Sequence, residues 1–192
     1  DVLPRLHTVM LQLSATPRTP PGTLTLLADV HRQISDLLHA MPPTTAPTVA
    51  RLGLVGALQR AVDDELGSAF DGVTWQVAPE AVAFASSIPP LTVDVVFYAA
   101  REAIRNAARY GRNGDSTRPL HLQVGVAWRN GLEIRIQDDG VGMQTPPPAA
   151  DGSGHGLALH STMMAVVGGA LATDTLPGHY TRVTLTLPQQ TW

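Results

Sequence analysis

The pattern of apolar positions divides the chain into two regions of different character. Residues 1–15 and 23–41 repeat apolar side chains at three- and four-residue steps, which predicts two amphipathic helices. Residues 16–22 contain three prolines and must end the first helix, so we expect an antiparallel helical hairpin. A second copy would cover its apolar face in a four-helix bundle; the alternative is that the hairpin packs on the domain that follows.

A proline-rich stretch at residues 42–47 separates this hairpin, predicted at 1–46, from a second domain, predicted at 47–192. The chain has no cysteine, which excludes disulfide bonds and cysteine-ligated zinc. Its net charge of −3 gives no reason to expect nucleic acid or an anionic membrane as a partner. No apolar run approaches the roughly 20 residues that span a bilayer. Because the sequence begins at Asp1 without an initiator methionine, we expect any membrane or sensor segment to lie upstream.

The second domain alternates helical and strand patterns. Apolar residues occupy every second position from Leu122 to Trp128 and from Leu132 to Ile136, as in half-buried strands. Asn130-Gly131 between them is typical of a hairpin turn. The order of elements predicts an α+β fold, a two-layer sandwich with helices on one side of a mixed sheet. The other predicted elements are helices at Leu52–Leu66, Leu91–Tyr110 and Leu157–Val167 and strands at Val73–Val77, Ala170–Thr175 and Arg182–Leu187.

One predicted helix carries three polar side chains of unlike chemistry on a single face. Glu102, Asn106 and Arg109 follow one another at four- and three-residue steps. An amide oxygen can ligate Mg²⁺, and a guanidinium can neutralise phosphate oxygens. The alternative is a solvated helix face with an ordinary salt bridge, although asparagine is a poor residue for a helix interior.

Two glycine-rich segments follow. Residues 137–143 (QDDGVGM) come directly after a strand, and Asp138 at its end is placed to accept a hydrogen bond from an exocyclic amine. Asp-Gly turns are also common without any ligand. Residues 152–157 (GSGHGL) open a helix, where backbone N–H groups form a site for anions. Their spacing is neither that of the dinucleotide fingerprint nor that of a P-loop.

In order and spacing the three segments resemble the N, G1 and G2 boxes of the Bergerat-fold ATPases, a superfamily that contains histidine kinases, gyrase B, Hsp90 and MutL. Residues 169–188 look like the ending of a histidine kinase, where a Gly-Gly pair, a Pro-Gly turn and a threonine precede the last strand. The resemblance covers Leu52 to Pro188. The short segment between Met143 and Gly152, which contains no phenylalanine, is similar to that of the nitrate-sensor and lipid-desaturase-sensor kinases.

The resemblance implies a site for ATP and Mg²⁺. It implies that Asp138 holds the adenine amine with support from Thr181, that Asn106 ligates Mg²⁺ and that Arg109 contacts phosphate. Glu102 would help to position or polarise the reacting groups, so Glu102 and Asn106 are the expected catalytic residues. The other expected ATP-binding residues shape the pocket and the phosphate loop: Gly140, Gly142, Met143, Gly152, Gly154, His155, Gly156 and Leu157.

The hairpin resembles the dimerisation helices of the same kinases. Residues 1–6 (DVLPRL) look like the segment after a His-Asp pair, which would place the phosphoacceptor histidine just before Asp1; His7 is the alternative acceptor. The resemblance implies a cytoplasmic homodimer that passes the phosphoryl group from histidine to the receiver domain of a response regulator. Two rivals are a Bergerat-fold ATPase that hydrolyses ATP to drive a clamp, and a nucleotide-binding dimerisation module without kinase activity.

Overall fold

The computed structural model describes residues 47–143 and 155–189. They belong to the second of the two units into which the chain divides, residues 45–192. The predicted hairpin lies outside the described residues, as do residues 144–154. Among the helices of the described part, none has the length and apolar character needed to cross a membrane.

The described strands form one mixed sheet in the order β1-β2-β3-β5-β4. Only the β1–β2 pair is parallel within this sheet, and the other neighbours are antiparallel. The sheet confirms the predicted α+β class. The strands are β1 (Gly72–Val77), β2 (His121–Trp128), β3 (Gly131–Asp138), β4 (Ala170–Leu176) and β5 (Tyr180–Pro188).

Helices cover one face of this sheet. Leu122, Val124 and Val126 of β2 are each at most 1% exposed, whereas Gln123 between them is exposed. This alternation confirms the strand pattern predicted from the sequence, because successive side chains of a strand point to opposite faces. The helical segments are α1 (Pro47–Ala61), a π-helical turn (Val62–Leu66), a 3-10 turn (Gly67–Ala69), α2 (Pro79–Ala85), α3 (Pro90–Tyr110) and α4 (His155–Val166).

The long helix α3 packs on β3 and β5 and is flanked by α1 and α4. Its buried face is built largely from small residues, with Ala99, Ala100 and Ala103 at most 3% exposed. Ile104 adds a fully buried branched side chain, whose removal from water contributes about 1.5–3 kcal/mol. The helix is therefore held rigidly against the sheet, and its polar side chains lie at fixed positions along one edge of the core.

Two elements differ from the sequence-based expectation. The helix α1 begins at Pro47 rather than Leu52, and it is interrupted at Gly53, whose φ of 70° is not helical. The helix α2 was not predicted, although Pro79 at its first turn and Glu80 beside it are common at helix starts. Its seven residues are too few for a clear apolar period.

Candidate functional site

A buried carboxylate stands at the end of the central strand β3. Asp138 is 5% exposed and lies directly opposite Thr181 of β5 in the antiparallel register. Burial raises the pKa of the Asp138 carboxyl above its ordinary value, although backbone N–H groups, chiefly that of Gly140, favour the charged form and oppose the shift. The Gly140 amide donates to Oδ1 of Asp138 at 3.1 Å. Carboxyl groups whose pKa is shifted by their surroundings cluster at functional sites.

The loop after Asp138 is bonded on both sides to neighbouring elements. The Val141 amide donates to the Gly111 carbonyl at 2.8 Å, which attaches the loop to the end of α3. On the other side, the Gly178 amide donates to the Val141 carbonyl at 2.6 Å. The Met143 amide donates to Oγ1 of Thr175 at 2.8 Å. The loop therefore lies between α3 and the β4–β5 hairpin.

Gly140 and Gly142 sit where a side chain would meet backbone atoms. A Cβ on Gly140 would lie 2.4 Å from the Gly111 carbonyl oxygen and 2.7 Å from Oδ1 of Asp138. A Cβ on Gly142 would lie 2.5 Å from the Leu176 carbonyl oxygen, and the positive φ of 69° also favours glycine there. These glycines let the loop pass close to the backbone of its protein neighbours.

The polar face of α3 runs toward the same edge of the sheet. Glu102 is half-buried and accepts hydrogen bonds from the Arg105 guanidinium, the Nε bond being 3.0 Å long. Asn106, one turn further along, is half-buried. Arg109 is exposed, and its guanidinium carbon lies 5.3 Å from the centre of the Tyr110 ring, within cation–π range.

The start of α4 lies against this face. A Cβ on Gly156 would lie 2.6 Å from Oε1 of Glu102, so the first and third segments meet. His160, one turn into α4, is near enough to Glu102 and Arg105 to feel their charges, yet burial is the largest effect and lowers the pKa of its imidazole. Leu157 packs against the hydrophobic core. Gly152 and Gly154 lie outside the described residues, and the His155 side chain is not described.

The loop after β3 thus contacts the end of α3, and the start of α4 contacts Glu102 on the same helix, so α3 links the three segments. A family model for the histidine kinase-like ATPase domain matches residues 73–186, which is 114 of the 192 residues. The matched span contains all three segments.

The chain belongs to the histidine kinase-like ATPase family.

Solved structures agree with this assignment at the level of the fold. The histidine kinase domain of the blue-light activated histidine kinase EL346 from Erythrobacter litoralis superposes with a TM-score of 0.58 at 13% identity, over 98% of this chain and 94% of that one. A longer structure of the same kinase gives a TM-score of 0.58 at 14% identity, over 97% of this chain and 58% of that one. No curated protein matches the chain.

The donor atoms on α3 suit a hard cation such as Mg²⁺. Asn106 offers an amide oxygen, and the Glu102 carboxylate lies one turn away on the same helix. Among the described residues no group of three or more His, Cys, Asp or Glu side chains could hold a metal by itself. Mg²⁺ is commonly bound by one or two protein oxygens together with substrate phosphates, so this donor set fits a magnesium–nucleotide complex.

Two residues that hold the loop after Asp138 were not singled out from the sequence. Thr175 and Arg118 both bond to the loop that follows Asp138, Arg118 through the Gly140 carbonyl at 3.2 Å. Neither lies in a recognisable motif, since Arg118 belongs to the polar turn after α3 and Thr175 to an ordinary strand pattern. Only the folded chain brings them to the pocket.

Proposed function

We propose that this domain binds Mg²⁺–ATP and that the protein is a sensor histidine kinase, which transfers the γ-phosphoryl group of ATP to a histidine. One observation carries the proposal: α3 contacts both glycine-rich segments, the start of α4 through Glu102 and the loop that follows the buried Asp138 carboxylate through Gly111. The family match supports an ATP-binding domain of this kind.

At the base end of the site, Asp138 accepts a hydrogen bond from the adenine amine. A buried carboxylate gains strongly from such a donor, because it has lost most of its contact with water. Thr181, directly across from it, supports the same amine through its hydroxyl group or through a water molecule. Gly140, Gly142 and Met143 form the wall beside the base.

At the phosphate end, the residues of α3 and α4 handle negative charge. Asn106 would hold Mg²⁺, which neutralises phosphate charge. Arg109, which is exposed, contacts a phosphate oxygen. Glu102 positions the attacking histidine. The glycine segment at the start of α4, with Gly152, Gly154, His155, Gly156 and Leu157, surrounds the phosphates with backbone N–H groups.

The reaction is an in-line displacement. A histidine nitrogen attacks the γ-phosphorus, its bond to phosphorus forms as the bond to the ADP oxygen breaks, and ADP leaves. Catalysis of this kind rests on positioning and charge neutralisation. An aspartate of a response regulator then accepts the phosphoryl group. We further propose that the kinase is of the nitrate-sensor or desaturase-sensor type, that the hairpin at 1–46 joins two copies, and that the domain works in the cytoplasm, where ATP is available.

The test is a labelling experiment on the protein produced from its complete reading frame. Incubation with Mg²⁺ and γ-labelled ATP should give phosphate on histidine that is labile to acid and stable to base, and a receiver domain should then remove it. Release of free phosphate without any phosphohistidine would instead identify a hydrolytic ATPase. Nucleotide binding without either reaction would identify a binding module.

A further inference from the structure

The arginine at position 118 joins the two walls of the base pocket. Its Nη2 donates to the Gly140 carbonyl at 3.2 Å and to the Gly178 carbonyl at 3.0 Å. Gly140 belongs to the loop that follows Asp138, and Gly178 belongs to the turn between β4 and β5. A single nitrogen therefore bridges two chain segments that are 38 residues apart in the sequence, counting from 140 to 178.

The backbone of Arg118 is itself held in place. Nε of Arg112 donates to the Arg118 carbonyl at 2.7 Å, and Nη1 of Arg112 donates to the Ala69 carbonyl at 2.8 Å. The Arg118 amide donates to the Asp115 carbonyl at 3.3 Å. The guanidinium thus projects from an anchored turn, so forming its two bonds requires little further ordering of the backbone.

These bonds add to a limited set of contacts between the loop and the hairpin. In the described part of the chain, Gly178 N–H also donates to the Val141 carbonyl, at 2.6 Å, and Met143 N–H donates to Thr175 Oγ1, at 2.8 Å. Bonds from a charged guanidinium are about twice as strong as neutral ones. Without Arg118, two carbonyl oxygens would lose a charged donor at the point where the loop leaves Asp138.

We propose that Arg118 is a positioning residue that fixes the base-binding loop, residues 139–143, against the β4–β5 turn and thereby sets the affinity and selectivity for adenine. The inference rests on the proposed function. Arg118 acts through the loop rather than on the reacting atoms. It therefore contributes equally to substrate and transition-state binding, which changes KM and leaves kcat almost unaltered.

The test compares Arg118→Met with Arg118→Lys. Methionine keeps the apolar length and removes the donor, whereas lysine supplies one nitrogen that can donate to both carbonyl oxygens. We expect Arg118→Met to bind ADP roughly tenfold more weakly and to discriminate less between ADP and GDP, and Arg118→Lys to recover most of both properties. Arg129→Met is the matched control, because Arg129 pairs with Glu133 at the opposite end of the sheet.

Calorimetry with ADP and GDP, alongside thermal unfolding of each variant, separates the outcomes. Unchanged ADP affinity in Arg118→Met would overturn the inference, and so would equal losses in the Met and Lys variants that follow their loss of stability. If the wild-type protein does not bind ADP at all, the proposed function fails and not merely the role of Arg118.

Discussion

The two ends of the proposed nucleotide site, the base end at Asp138 and the phosphate end at Glu102 and Gly156, have different kinds of neighbouring atom. At the base end, the atoms nearest to a Cβ placed on Gly140 include the backbone of Gly111, with its oxygen at 2.4 Å. At the phosphate end, the atoms near a Cβ placed on Gly156 belong to the Glu102 side chain. A backbone atom in a packed helix end cannot move aside, whereas the end of a side chain can turn.

The key polar side chains also differ in exposure. Asp138 at the proposed base end is 5% exposed, Glu102 and Asn106 at the proposed phosphate end are half-buried, and Arg109 beyond them is exposed. A base is recognised by a few fixed hydrogen bonds in a dry pocket, which requires groups that are already in place. Phosphates bring charge and a metal with them, so hydrated side chains that adjust to the ligand are sufficient there. We therefore expect the groups that bind the base to be rigid and the side chains around the phosphates to adjust to the ligand.

The largest effect should come from the phosphate end. We expect Asn106→Ala to lower the rate of phosphoryl transfer on the order of a hundredfold, because charge that develops on the phosphates loses its metal neutralisation. ADP affinity should fall much less, since the base contacts remain. Transfer rate and ADP affinity measured side by side check this. Asn130→Gly, in the β2–β3 turn, is the control. An unchanged transfer rate in Asn106→Ala would show that Asn106 is not the metal ligand.

A pair of glycine substitutions tests the contrast itself. Gly140→Ala should destabilise the domain by about 1–3 kcal/mol and weaken nucleotide binding, because its Cβ meets backbone. Gly156→Ala should leave stability almost unchanged and mainly alter catalysis through the displaced Glu102 carboxylate. Gly125→Ala, whose Cβ would find no atom closer than 3.9 Å, is the control. Urea unfolding and phosphoryl-transfer rates of the two variants check these expectations. Equal losses of stability in Gly140→Ala and Gly156→Ala would contradict the proposed difference between the two ends.

A smaller effect concerns the nucleotide-free protein. Because burial raises the pKa of Asp138 from 3.8, the folded state loses stability as pH rises through that raised pKa, and the loss is complete above it. Asp138→Asn removes the ionisation while keeping an acceptor for the Gly140 amide. We expect the variant to be at least as stable as wild type at pH 7, with the difference fading as pH falls below 3.8. Thermal melting curves of both proteins across this pH range check the sign of the stability difference. An Asp138→Asn variant that is less stable than wild type by the same margin at every pH would contradict the prediction.

Many elements of the fold, and the candidate residues of the proposed site, follow from local sequence patterns. The alternation in β2 and β3 predicted where the sheet faces lie, and the four- and three-residue spacing predicted that Glu102, Asn106 and Arg109 share one side of α3. Both depend on short-range periodicity, which the sequence carries directly. The resemblance to a known family supplied the pairing of Asp138 with Thr181, which the register places directly opposite each other.

The rest depends on contacts between distant segments. Nothing in the polar turn after α3 indicates that Arg118 reaches the Gly178 carbonyl, because that contact exists only once α3, β3 and the β4–β5 turn have assembled. The kink at Gly53 could not be predicted either, because an isolated glycine in a helical pattern does not indicate which φ it adopts. Sequence patterns predict elements and faces well, and the bonds that fix a loop less well.

The most direct measurement of the central claim is nucleotide affinity with and without the buried carboxylate. Calorimetry should show that Asp138→Ala binds ADP ten- to a hundredfold more weakly than wild type, roughly the 1.5–3 kcal/mol of a hydrogen bond to a charged group. Asp64→Ala, which removes an exposed carboxylate that pairs with Arg60 at the π-helical turn after α1, should bind within about threefold of wild type, since a surface pair is worth under about 1 kcal/mol. Equal affinities of wild type and Asp138→Ala for ADP would show that the carboxylate at the end of β3 does not hold the base.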